Sequence, residues 1–304
     1  MLRSAILAAA ESKRIERFVS AAPLTSGVVR RFVAGTAAES AVAAARELHL
    51  DGYNTTMDYL GEDVADAEGV SLVVTAYRTL LTGLADSDAT AFSEVSVKLS
   101  ALGQGFDRHR ALAAAAEICE TANAVGTTVT IDAEEYHSID GTLEAVAALR
   151  RDYPDTGAVL QAYLRRTEAD CRDLAGLGSR IRLCKGAYAA PESVAYQQRH
   201  EVNRSYVRCL NVLLAGAGRP MVATHDPLLI TIAVERAYSY RRDPHSYEFQ
   251  MLFGAHPRQR QELLTAGHSV RIYVPYGVAW YRYLMRRMAE RPANLAFFLR
   301  ALAS

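Results

Sequence analysis

The hydrophobic positions of this chain fall into two alternating rhythms. Eight short runs rich in β-branched and aromatic residues, at 55–59, 95–99, 128–132, 159–163, 181–184, 221–224, 247–251 and 270–274, read as strands. Between them the stretches 110–124, 143–151, 192–214 and 228–241 repeat apolar residues at helical spacing. Eight strands, each followed by a helix, imply parallel pairing with right-handed crossovers. Eight such units in about 250 residues is the count of a closed (β/α)8 barrel; an open doubly wound sheet is the competing arrangement. Two helical segments come first, opening on the amphipathic stretch MLRSAILAAAESKRIERF. The expectation is a single α/β unit. A TIM-type barrel spans residues 51–304, and extra N-terminal helices, residues 1–50, pack on it. No Pro/Gly-rich linker divides the two.

The segment VRIYVPYGVAWYRYLMRRMAERPAN after the last helix pattern predicts a strand ending at Tyr273, a Val274-Pro275-Tyr276-Gly277 turn and a final helix. At about 100° per residue, Tyr283, Arg286, Arg287 and Glu290 share an arc of roughly 100°. Trp280, Leu284 and Met288 take the neighbouring arc and supply a side to bury. Two adjacent guanidinium groups suit a small carboxylate or phosphate, because each planar fork donates two parallel hydrogen bonds. The alternative is a solvated face with a weak Arg286–Glu290 pair.

In a parallel barrel, chemistry sits at the C-terminal ends of the strands. Polar residues gather there in the sequence. The second strand carries Lys98 and the third ends in Asp132, Glu134 and Glu135. The fourth carries Gln161. The fifth carries Arg182 and runs into Cys184-Lys185-Gly186-Ala187-Tyr188. The sixth ends in Thr224-His225-Asp226, the seventh carries Glu248 and Gln250, and the eighth ends at Tyr273.

Composition narrows the classes. Of 304 residues half are hydrophobic, enough for a large core, and the 34 basic side chains equal the 34 acidic ones. That balance argues against a nucleic-acid surface. Cys119, Cys171, Cys184 and Cys209 form no CxxC pair, so neither a zinc site nor a disulfide framework is expected, and a cytosolic, reduced chain is. No stretch approaches the roughly 20 apolar residues of a membrane span. The apolar segment 294–302 with its one arginine reads as a helix closing the barrel bottom or lying on a lipid surface.

Seven motifs, in order, make the chain resemble the proline dehydrogenase family over about residues 55–300. They are SVKLSAL at 96–102, TIDAEE at 130–135, LQAYLRR at 160–166, RLCKGAY at 182–188, ATHD at 223–226, YEFQMLFG at 247–254 and YLMRRMAE at 283–290. The resemblance implies a distorted (β/α)8 barrel holding FAD. It implies oxidation of L-proline to Δ1-pyrroline-5-carboxylate, electrons passing to a membrane quinone and the product to a separate pyrroline-5-carboxylate dehydrogenase. It further implies Asp132 and Arg182 in catalysis, Arg182 beside the flavin N5, and Lys98, Arg286 and Arg287 as carboxylate anchors. Ala133, Gln161, Arg182, Lys185, Gly186, Ala187, Thr224 and His225 match flavin-contacting positions. Tyr273 and Tyr283 match the walls around the proline ring, with Tyr188 nearby, and Glu62 matches a glutamate that closes over the site. The length fits the single-function bacterial form, and the location implied is cytoplasmic, at the inner face of the membrane.

Two other chemistries remain open from the residues alone. Lys98 or Lys185, desolvated on a strand, suits a Schiff-base aldolase. Asp132, Glu134, His137, His225 and Asp226 suit a metal-dependent hydrolase, although the first strand lacks the HxH pair such barrels often use.

Overall fold

The structure is a computed structural model that describes residues 25–61 and 64–290; at 25–28 and 286–290 it describes the helical backbone but not the side chains. Eight strands close into a parallel barrel in chain order: β1 (Asn54–Tyr59), β2 (Ser93–Val97), β3 (Val129–Ile131), β4 (Gly157–Gln161), β5 (Arg180–Cys184), β6 (Arg219–Ala223), β7 (Glu248–Leu252) and β8 (Val270–Tyr276). All eight sequence-predicted strands are present, and the open sheet is excluded. The outward faces are apolar because helices cover them. Val95, Val97, Leu183, Phe249 and Ile272 form one continuous core with Tyr77, Leu80 and Leu84 of α3 (Ala67–Asp86), Ile118 of α4 (Arg108–Ala124) and Leu210 and Leu213 of a later helix, Arg199–Ala215. Each fully buried leucine contributes roughly 1.5–3 kcal/mol.

Two helices precede the barrel: α1 (Thr25–Phe32) and α2 (Ala38–Leu50). Helix α2 covers β1 and β8 and packs on α3. That seam belongs in a regular barrel to the helix after β8. The remaining helices are α5 (Ile139–Leu149), α6 (Thr167–Leu174), α7 (Arg199–Ala215), α8 (Pro227–Ser239), α9 (Pro257–Thr265) and α10 (Trp280–Glu290). Displaced from the β8 seam, α10 instead meets α1. Tyr283 of α10, Val33 and Leu60 form a separate small core there. This exchange of roles is the distortion of the barrel.

Four expectations are corrected. The 192–214 pattern starts late, because residues 163–165 pair with 194–196 through Tyr196 N to Tyr163 O and Arg165 N to Val194 O. Those groups are unavailable to a helix, and α7 begins at Arg199 behind a capping box of Gln198 and Glu201. The last strand does not end at Tyr273. It continues through Val274 and Pro275 to Tyr276, because β1 still pairs with it there. Its pairing with β7 stops at Tyr273, so the proline's missing N–H faces a side with no strand to serve. The carbonyl of Pro275 on that side accepts from Ala34 N of the chain after α1. Tyr283 is not on an open face: it is 6% exposed, in the small core just described. Finally, Glu248 is the first residue of β7, at the N-terminal end of the barrel rather than at its mouth.

The barrel interior is charged rather than filled with branched aliphatics. Glu94 accepts from Thr56 Oγ1 at 2.8 Å and from Arg180 Nη2, and has Arg182 and Arg271 within 3.9 Å. Glu248 accepts from Arg271 Nε at 2.8 Å, Gln250 Nε2 at 2.6 Å and Arg219 Nη2 at 3.3 Å. Burial alone would raise both carboxyl pKa values. The surrounding arginines outweigh it and hold both below the ordinary value. None of the four cysteines is in a disulfide; Cys119, Cys171 and Cys209 are buried, while Cys184 at the end of β5 is half-buried.

Candidate active site at the barrel mouth

The alternation of a strand places every second side chain inside the barrel. In β1 this sends Thr56 and Asp58 inward, in β2 Glu94 and Ser96, in β5 Arg180 and Arg182. Lys98 and Asp132 follow the last residues of β2 and β3 and continue the same parity. Four of the sequence-predicted residues meet here. Asp132 Oδ1 accepts from Arg182 Nη1 at 2.7 Å and from Ser96 Oγ at 2.8 Å, and Oδ2 accepts from the Tyr273 hydroxyl at 2.7 Å. Lys98 Nζ lies 3.5 Å from Asp132 and 3.3 Å from the Tyr273 oxygen. The Arg182 guanidinium sits 5.2 Å from the Tyr273 ring centroid. Burial and the charges of Asp132 and Asp58 raise the Tyr273 pKa well above its ordinary value, so the phenol stays a donor.

Two members of this cluster, Asp58 and Ser96, went unread in the sequence, and the contact made by a third, Gln250, was not foreseen. Asp58 Oδ1 accepts from Lys98 Nζ at 2.6 Å. Ser96 Oγ accepts from Arg182 Nη1 at 2.9 Å while donating to Asp132. Gln250 Oε1 accepts from Arg182 Nε at 2.5 Å, and its amide is turned that way because Nε2 donates to Glu248. The available signal was strand parity: Asp58 stands two residues from Thr56, and Ser96 two from Lys98. Glu134 has a different task from metal binding. It accepts from Ser100 N at 3.0 Å and Ser100 Oγ at 2.5 Å, tying down the turn that follows Lys98. Among the described residues, no three His, Cys, Asp or Glu side chains converge as a metal site.

A second group lines the β4–β7 side of the mouth. Gln161 ends β4, 3% exposed, with Nε2 at 3.5 Å from Ala133 O. Lys185 Nζ pairs with Asp226 Oδ2 at 2.7 Å. Gly186 has φ +97° and a Cβ there would stand 2.1 Å from the Tyr163 ring, so no other residue fits. Thr224 Oγ1 accepts from Asp226 N at 3.1 Å, and His225 Nε2 from Leu252 N at 3.0 Å. Ala187 is exposed and Tyr188 half-buried on the loop after β5. The side chains of Arg286 and Arg287, and all of Glu62, lie outside the described residues; α10 carries the two arginines.

A closed parallel barrel with cationic and carboxylate groups converging at its C-terminal mouth defines a (β/α)8-barrel enzyme. The family model described as Proline dehydrogenase matches residues 41–300, and the chain belongs to that family. Proline dehydrogenase 1 of Bacillus subtilis (strain 168) is 34% identical over 302 residues, 99% of either chain. Proline dehydrogenase of Deinococcus radiodurans is 33% identical over 307 residues, 99% of this chain and 98% of that one. Among solved structures, proline utilization A from Bdellovibrio bacteriovorus, inactivated by N-propargylglycine, superposes with a TM-score of 0.81 at 23% identity. That match covers 87% of this chain but 32% of the larger one, and it bears on the fold alone.

Proposed function

We propose that this chain oxidises L-proline to Δ1-pyrroline-5-carboxylate with FAD as cofactor and a membrane quinone as final electron acceptor. This is the first step of proline catabolism to glutamate, and a separate pyrroline-5-carboxylate dehydrogenase takes the product. Residues 51–304 are the catalytic unit in this reading and residues 1–50 pack on it. The observation that carries it is the Asp132–Arg182–Tyr273–Lys98 cluster beside two buried groups with no hydrogen-bond partner among the described residues, Gln161 Oε1 and Arg182 Nη2. One acceptor and one donor on neighbouring strands suit the N–H and carbonyl edges of a flavin's pyrimidine ring. The residues therefore fit the cofactor.

Bound FAD supplies the hydride acceptor. Ala133, Gln161, Lys185, Gly186, Ala187, Thr224 and His225 hold it. Arg182, fixed in place by Asp132, Ser96 and Gln250, provides a positive charge that needs no reorganisation during the reaction. Lys98, Arg286 and Arg287 clamp the proline carboxylate, compensating its desolvation and fixing the ring's orientation. Tyr273, Tyr283 and Tyr188 wall the apolar ring, and Glu62 closes over it. The Schiff-base alternative is disfavoured because Lys98 and Lys185 each lie against a carboxylate, at 2.6 and 2.7 Å. A nucleophilic lysine is activated in the opposite setting, an apolar or cation-crowded pocket. Among the described residues no helix is long and apolar enough to cross a membrane. In this reading contact with a quinone is made at the lipid surface; the 294–302 segment, outside the described residues, suits by composition either closure of the barrel bottom or that contact.

An absorbance spectrum tests cofactor and substrate together. The purified protein is expected to be yellow and to bleach on anaerobic addition of L-proline. Colourless protein that takes up no FAD would end the proposal.

A further inference from the structure

Oxidising a cyclic ammonium requires its nitrogen to lose a proton, and the structure supplies a place for it at Asp58. This side chain is 1% exposed on the inner face of β1. Its Oδ1 holds Lys98 Nζ at 2.6 Å, and its Oδ2 is buried without a hydrogen-bond partner among the described residues. The groups facing it are Lys98 after β2, Asp132 after β3, Tyr273 and Tyr276 of β8 and Tyr77 of α3. Burial and neighbouring negative charge keep the three phenols protonated. Among the described residues, the charges that act most on Asp58 are thus one ammonium and one carboxylate. Burial and the charge of Asp132 push its pKa up, Lys98 and the Tyr273 hydroxyl pull it down, and the balance leaves it raised to about 6. Asp226, which pairs with Lys185 at the mouth, is shifted the opposite way, held low by Lys185 and Arg199 against its burial.

We propose that Asp58 takes up the proton released by the substrate nitrogen, and that arrival of the substrate carboxylate at Lys98 is what prepares it to do so. The inference rests on the proposed function for the position of that carboxylate. A second anion at Lys98 adds negative charge near Asp58 and draws away part of the ammonium's hydrogen bonding. Both effects favour the protonated acid. The balance closes. One N–H bond of the ring ammonium breaks, its electron pair stays on nitrogen, and the proton ends on Asp58. The C5–H bond then breaks with its pair leaving as hydride to the cofactor, while the nitrogen lone pair forms the C=N bond of an iminium that keeps one N–H. The Lys98–Asp58 hydrogen bond is the route: an Nζ–H bond of Lys98 breaks as its proton passes to Asp58 Oδ1, and the neutral amine so formed takes the proton of the substrate nitrogen, so that Lys98 ends as the ammonium it began as.

The test is proton exchange on binding of tetrahydrofuran-2-carboxylate, which replaces the proline nitrogen by oxygen and brings no proton of its own. Calorimetric titrations of the FAD-loaded protein at pH 7, in buffers of different ionisation enthalpy, count the protons. Wild-type protein is expected to take up a substantial fraction of one proton per site. Asp58→Asn is expected to take up none, Asp58→Glu to retain uptake, and kcat/KM for proline to fall on the order of 100-fold in Asp58→Asn with loss of its acid limb near pH 6. If Asp58→Asn does not fold, an infrared difference spectrum of the wild type reads the same event, as loss of a carboxylate band and gain of a carboxylic acid band. Binding without proton uptake, or undiminished uptake in Asp58→Asn, overturns the inference and leaves the proposed function standing. Protein that carries no flavin and binds no carboxylate overturns the proposed function itself.

Discussion

Arg286 and Arg287 carry the most weight of any two residues in the proposed chemistry, since a buried carboxylate needs compensating charge. Replacing either by methionine keeps an unbranched apolar stem and removes the charged fork. The expected outcome is proline binding weakened by roughly 2–4 kcal/mol, about 30- to 1,000-fold in KM, with flavin content near normal. Steady-state kinetics beside the visible flavin absorbance would check it, and a drop in flavin content equal to the loss of activity would contradict the division of labour. At this scale the sequence was legible wherever a motif ended a strand: Lys98, Asp132, Arg182 and Tyr273 do meet, within 3.5 Å of one another's polar atoms along the cluster. Asp58 was not legible, although it stands in the very strand searched for a histidine pair. Its meaning depends on Lys98 reaching across from the neighbouring strand, forty positions later, and nothing local in Thr-Thr-Met-Asp-Tyr records that. Gln250 was read as a mouth residue, but the reason for it, an amide turned by Glu248 to face Arg182, exists only in the closed barrel.

Elements were more legible than their ends. The outward positions of each strand are mainly apolar because helices cover them, which is why all eight were visible. Where β8 stops is set by its neighbour: past Tyr273 one edge has lost β7 and the other keeps β1, so a proline that reads as a turn lies inside a strand. The role of α1 is likewise a matter of contacts. Gly254, in the loop after β7, has φ +72°, and a Cβ there would stand 1.8 Å from the carbonyl oxygen of Arg31. Gly254→Ala is therefore expected to push α1 off the barrel, since an alanine held at positive φ costs about 1–3 kcal/mol before any collision is counted. Limited proteolysis should show cleavage near residues 25–37 accelerated about tenfold or more, while far-UV circular dichroism keeps the barrel signal. Unchanged proteolysis would mean that the chain around Gly254 yields without disturbing α1.

For the whole molecule, the charged barrel interior sets the response to acid. Glu94 and Glu248 are held below the ordinary carboxyl value of 4.5 by their arginines. A depressed folded pKa contributes stability that is present above the unfolded value and lost as pH falls through the folded one. Asp58 acts in the opposite sense: raised from 3.8 to about 6, it favours the fold below 3.8 and loses that contribution as pH rises through 6. Stability followed by urea midpoints is therefore expected to rise by about 1 kcal/mol as pH falls from 7 to 5, as Asp58 takes up its proton, and to fall steeply below about pH 4. Glu94→Gln should cost about 3–5 kcal/mol at pH 7, by leaving arginines unpaired in the interior, and should flatten the acid limb. A steep limb that survives in Glu94→Gln would place the acid sensitivity elsewhere. The thiols add a practical consequence. Cys119, Cys171 and Cys209 are sealed beneath helices, with burial pushing the Cys119 thiol up to about 12. Cys184, half-buried, adjoins Lys185 and Gly186 at the proposed flavin positions. A maleimide should then label the native apoprotein fast at a single position and four times after denaturation. Loading with FAD should slow that one rapid event, which makes the molecule its own occupancy gauge, readable by mass spectrometry without turnover.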